Sequence, residues 1–237
     1  MTNFTNEESS FSNEISRDFF KSVYSYMFGA LSLSGAIAYL CGTTPEFFES
    51  YFITPQGGIS SSFYIAAFAP VGLALLIQWG YNRFSMASLL LMFIIYSALM
   101  GLSLSTIFMV YQIGAIISTF FVSAGAFAGM AILGYTTKTD LTKFGSLLYM
   151  VFIGIFIASI LNMFIGSSMT DFVISVLGVF VFTGLTAYHM QQLKALSTNT
   201  QISNEQRSKL SLIGGLQLYI LFVNLFLSLL RLLGGRD

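Results

Sequence analysis

Seven stretches of this sequence are each long and apolar enough to cross a lipid bilayer, a pattern that leaves few folds open. A hydrocarbon core of roughly 30 Å, at about 1.5 Å of helical rise per residue, asks for about 20 mainly apolar residues. The stretches run over residues 22–41, 63–80, 86–109, 113–133, 146–165, 170–189 and 212–233. Barrel strands would instead alternate polar and apolar over about 10 residues. The expected fold is an all-α integral membrane protein, a seven-transmembrane helix bundle. Composition excludes the soluble alternative: 8% of the 237 residues are charged, against roughly 25% in a soluble domain. Only Tyr111, Gln112 and Gly114 mark the border between the third and fourth spans. Pro70, inside the second, is expected to kink it.

Residues 1–20 carry Glu7, Glu8, Glu14 and Asp18 and lack the basic start of a cleaved signal peptide. They read as a polar N-terminal tail with a disordered tip, and residues 21–237 as the membrane domain. Orientation follows from Lys and Arg, which concentrate in cytoplasmic loops. Arg17, Lys21, Arg83, Lys138, Lys143, Lys194, Arg207 and Lys209 fall on one side of seven alternating spans; only Arg231 and Arg236 fall on the other. The N-terminus is expected in the cytoplasm and the C-terminus outside. Ten basic residues balance ten acidic ones, which leaves no basic surface for nucleic acid. The lone Cys41 excludes an internal disulfide and a cysteine zinc site.

Within lipid, small residues at four-residue spacing let helix backbones approach. Three such rows stand out: Ser97, Gly101 and Ser105; Gly125 and Gly129; and Gly154, Ala158 and Asn162. Close packing is the general reading of all three, with pore lining by Ser103, Ser105 or Asn162 as the alternative. The last span carries Gln217, Asn224, Ser228 and Arg231 within about 60° of one another at about 100° per residue. Such a stripe avoids lipid, which sets this helix at the bundle centre or against a wet cavity. Leu221 interrupts the stripe, and Arg231 reads as a snorkelling anchor at the outer end.

Acidic residues are missing from the spans except for Asp171 at the start of the sixth, whereas proton-coupled pumps carry intramembrane carboxylates or His. The one histidine, His189, closes that span in Leu185-Thr-Ala-Tyr-His189. An imidazole titrates near pH ~6.5 and suits a pH sensor; the alternative is an interfacial side chain reaching for water. Enzyme chemistry finds no support. Ser103 has no base in reach of its motif, two buried aspartates are missing, and one His cannot build a zinc site. No cofactor or resident metal is expected.

Four ordered segments carry a family resemblance: Tyr96-Ser-Ala-Leu-Met-Gly-Leu-Ser-Leu-Ser105, Gly134-Tyr-Thr-Thr-Lys138-Thr-Asp140-Leu-Thr, Gly184-Leu-Thr-Ala-Tyr188, and Leu218-Tyr-Ile-Leu-Phe-Val-Asn224-Leu-Phe-Leu. Together they resemble the Bax inhibitor-1, or transmembrane Bax-inhibitor-motif, family in a bacterial form. The resemblance implies a seven-helix bundle with the last helix central. It also implies a passive calcium leak gated by protons, through two aspartates that share a proton. His189 and Leu221 occupy those two positions here, and residues 63–80 lack the arginine that engages the pair in some members. The latch therefore does not carry over. Calcium prefers six to eight oxygen ligands with carboxylates among them, and none stand here. His189 and Leu221 become the gate or sensor candidates. Protonating His189 adds positive charge at the cytoplasmic mouth, so acid is expected to oppose cation passage. The resemblance also offers another role, a modulator of membrane-protein quality control that binds a membrane-anchored protease. Lys138 and Asp140 mark the family's loop, read from the residues as a solvated turn in which Asp140 caps or pairs locally.

Overall fold

The computed structural model describes residues 2–54, 56, 58, 60–199 and 201–235; Arg236, used above for orientation, lies outside them. Among the described residues eight α-helices follow in order: α1 (Thr2–Gly42), α2 (Pro45–Phe52), α3 (Ser61–Gly80), α4 (Met86–Leu104), α5 (Ile113–Thr136), α6 (Thr142–Ile165), α7 (Ser168–Ser197) and α8 (Asn204–Leu233), with a 3-10 turn over Ser105–Met109. Seven helical segments are long and apolar enough to span a membrane, and only the short α2 is not. The third and fourth spans part at the 3-10 turn, next to Tyr111 and Gln112. Helix α3 continues through Pro70 to Gly80.

Helix α1 begins at Thr2, so the polar residues ahead of the first span are helical and continuous with it. The reason is visible from residue 14 onward. Ser16, Phe19, Phe20, Val23, Met27 and Ala30 are buried at helical spacing. On the exposed side Lys21 pairs with Asp18 at 3.2 Å, one turn apart. Polar and apolar residues thus alternate with the period of a helix, which a hydropathy average over the segment hides.

The chain divides into two compact units, residues 1–110 with 199–219 and residues 111–198 with 220–237. In the first, α4 packs on α1 and α3. The Ser97, Gly101 and Ser105 row faces inward as expected: both serines are buried, and a Cβ on Gly101 would stand 2.8 Å from Ser34 O. Gly215 of α8 meets α1 similarly, 2.6 Å from the Tyr26 Cβ. Tyr219 sits edge-on to Tyr96 at 5.6 Å and to Phe93 at 6.5 Å. Phe47 and Phe52 of α2 pack with Phe63 of α3.

In the second unit α7 packs against both α5 and α6. The sharpest approach is at Gly134, where a Cβ would collide with the backbone carbonyl of Ala187. Phe120 and Phe127 of α5 meet Phe222 of α8 edge-on at 5.4 and 5.6 Å. Two expected packing rows point elsewhere. Gly125, Gly129 and Gly154 are exposed, and an added Cβ would meet nothing within 4 Å. Helix α5 buries Ile116, Thr119, Ser123, Phe127, Ala131 and Gly134. Gly125 and Gly129 lie two residues beyond Ser123 and Phe127, about 200° around the helix. Asn162 of the third row caps the α6–α7 turn, its Oδ1 accepting from Ser167 N at 3.1 Å. Gly166 makes that turn possible with a left-handed φ of 68°.

Candidate functional site

Helix α7 remains helical past the apolar part of its span to Ser197, and its last three turns gather the polar groups of the second unit. His189 is 5% exposed, so its imidazole packs inside the protein and does not reach for water. Its Nε2 lies 2.5 Å from the Tyr149 hydroxyl of α6, and the rings meet edge-on at 5.9 Å. Tyr188 completes an aromatic triangle, 5.5 Å from His189 and 6.3 Å from Tyr149. Room for Tyr188 comes from Gly145, where a Cβ would stand 2.6 Å from the ring. Gln192, one turn on, donates to the Tyr188 hydroxyl at 2.5 Å.

Gln191 and Lys194 of α7 hold the segment that joins α5 to α6. Gln191 accepts from Leu141 N at 2.9 Å and donates to Thr139 O at 2.8 Å. Lys194 donates to Tyr135 O at 2.7 Å and stands 4.8 Å over the Tyr135 ring. Asp140 accepts from Thr142 N at 2.9 Å and from the Thr142 hydroxyl at 2.6 Å, the local capping that its position suggested. Those bonds, aided by Lys143, hold its carboxyl below the usual carboxylate range. Lys138 is exposed.

Chemically, the His189–Tyr149 pair is a two-way hydrogen bond. A neutral ring with a bare Nε2 accepts the phenol proton; a protonated ring donates from Nε2, and the phenol oxygen must accept. Proton uptake at His189 therefore reverses the link between α6 and α7. Tyr149 was not legible as a partner, because it stands 40 residues from His189 on another helix. Gln191 and Gln192, two amides directly after the histidine, were the local hint that this end of the helix binds something.

The stripe on α8 divides. Gln217 and Asn224 are half-buried and Arg231 is exposed, while Ser228 and Leu221 are buried. Asn224 donates to Ile220 O and Ser228 to Asn224 O, both at 2.8 Å, so each satisfies itself on its own helix. Ser228 fits against Gly178 of α7, where a Cβ would stand 2.5 Å from its hydroxyl. Leu221, at 5% exposed, sits on the buried edge with Ser228. Helix α8 is the most deeply buried span: 72% of its apolar window is buried, against 11–44% in the others. Among the described residues no three His, Cys, Asp or Glu side chains converge as a metal site.

The family model described as inhibitor of apoptosis-promoting Bax1 matches residues 16–237, all seven spans. The chain belongs to the Bax inhibitor-1 family. Relatives of this multi-pass membrane family are similar over most of the chain. An uncharacterized protein of Borreliella burgdorferi is 46% identical over 177 residues, 75% of this chain and 76% of the relative. The inner membrane protein YbhL of Escherichia coli is 38% identical over 217 residues, 90% of each chain. A Rickettsia prowazekii protein, RP147, is 37% identical over 220 residues, 93% of this chain and 90% of the relative.

Proposed function

We propose that this Bax inhibitor-1 family member is a passive, pH-modulated cation leak of the bacterial inner membrane, with calcium as the ion. The observation that carries the proposal is the buried His189–Tyr149 hydrogen bond. It stands where the family resemblance expects a proton-binding aspartate, and it ties α7 to α6. The similarity to the inner membrane protein YbhL of Escherichia coli supports the inner membrane. The basic-residue count supports a cytoplasmic N-terminus and an outer C-terminus, which sets His189 at the cytoplasmic mouth. Leu221, buried on α8, serves as an apolar plug in place of the second aspartate. In this reading the last helix is the central one. A protonated imidazole adds a positive charge, so the leak closes as His189 takes up a proton in acid.

The test is calcium entry into proteoliposomes with an internal dye, from pH 5 to 8, beside protein-free vesicles. Protein-dependent entry that falls several-fold toward pH 5, with a flat profile in His189→Ala, is the expected result. Entry that rises in acid and loses that rise in His189→Ala overturns the gating scheme; no entry at any pH overturns the leak.

A second reading, a modulator that binds a membrane-anchored protease, is favoured by one feature. Gly125 and Gly129 face outward from α5 with nothing over them, a surface on which another helix can lie closely. Crosslinking from Gly129→Cys in membranes separates the readings.

A further inference from the structure

A second polar cluster lies in the second unit at the far end of α6 and α7. Asp171 is about 27 Å from His189, at about 1.5 Å for each of the intervening residues. A cavity of about 380 Å³ is lined by Ser159, Asn162 and Ser167 at the α6–α7 turn, by Asp171 in the first turn of α7, and by Arg231 in the last turn of α8. Each charge occupies the helix end that its sign favours. The two nevertheless share the wall of one cavity, in a protein whose spans otherwise carry almost no charge. Beside it, Phe164, Ile165, Met169 and Phe172 are all more than half exposed. A membrane protein presents such side chains to acyl chains, and helix ends mark the level of the headgroups.

We propose that this cavity binds the headgroup of a zwitterionic phospholipid, with the phosphate at Arg231, the ammonium at Asp171 and the acyl chains along the exposed side chains of α6 and α7. The chemistry of the wall selects this ligand. A guanidinium recognises a phosphate through paired N–H donors, and a carboxylate discriminates an ammonium from a neutral hydroxyl. Ser159 lines the same wall with a further hydroxyl. The volume suits a group of phosphoethanolamine size, because a pocket of about 300 Å³ or more accepts a small ligand. The assignment is independent of whether the protein conducts ions, and its test reads lipid binding alone.

The experiment uses the full-length protein purified in detergent, with phosphatidylethanolamine or phosphatidylglycerol of identical acyl chains added and bound lipid counted by native mass spectrometry. The wild type is expected to retain phosphatidylethanolamine about tenfold better than phosphatidylglycerol, the discrimination of one charge-assisted bond. Asp171→Asn should erase the preference while still binding both lipids. Arg231→Gln should weaken both, and Arg231→Lys should restore much of the binding, which separates charge from folding. Equal retention of the two lipids by the wild type, or unchanged selectivity in Asp171→Asn, overturns the proposal. Free phosphoethanolamine that displaces the lipid at equal concentration overturns the lipid assignment in favour of a soluble ligand; failure to displace it supports the lipid.

Discussion

Asp140 shows how a residue in a family motif can act locally. Both of its bonds run to Thr142, two residues on, and they start helix α6 by occupying a free backbone N–H. Because its carboxyl is held below the usual carboxylate range, the folded protein binds a proton there less readily than the unfolded chain. The stabilisation is therefore fully present above the ordinary carboxylate pKa of ~4 and lost as pH falls through the lowered folded-state value. Thermal melts of wild type and Asp140→Asn should differ at pH 7, and the difference should shrink as pH falls below ~4. A difference that persists undiminished at pH 3 contradicts this account. His189 is the opposite kind of residue. Its neighbours come from residue 149 on another helix as well as from residue 188 beside it, so its hydrogen-bond partner could not be read locally.

At the scale of the element, α5 carries two glycine-bearing faces with different fates. Gly134 lies against the backbone of α7, while Gly129 faces outward. In sequence the GxxxG at Gly125 and Gly129 was the more conspicuous motif, and among the described residues nothing lies within 4 Å of a Cβ added at either glycine. Its spacing brings two small residues onto one face, but spacing carries no information on which face the neighbours cover. Gly134→Ala should cost about 1–3 kcal/mol through overpacking. Gly129→Ala should be neutral or stabilise by up to about 1 kcal/mol, because alanine favours the helix. Unfolding midpoints in detergent measure both. Equal loss in the two variants would show that Gly129 is also covered.

At the scale of the whole molecule, an odd number of spans places the termini on opposite sides of the membrane. Reporter fusions should place an N-terminal tag in the cytoplasm and a C-terminal tag outside, and a labelling reagent that cannot cross the membrane should reach a cysteine at Arg231 but not one at Lys138. Both termini on one side would remove a span from the bundle. The two polar clusters, His189 with Tyr149 and Asp171 with Arg231, would then also lose their assignment to opposite membrane faces.

The sequence by itself determined the number and order of the spans, the small-residue packing row of α4 at Ser97, Gly101 and Ser105, and the positions where the family's aspartates are replaced. These are local properties: crossing about 30 Å of hydrocarbon requires a run of apolar residues wherever the helix sits, and a substitution is visible at its own position. Only the tertiary structure decided that α1 is helical from Thr2, which glycines face inward, that the polar stripe of α8 divides between Gln217 and Asn224 on one side and Ser228 on the other, and that Tyr149 meets His189. In lipid the outside of a helix is as apolar as its packed face. Hydropathy therefore cannot distinguish the two, and contacts between residues tens of positions apart appear only once the helices are packed.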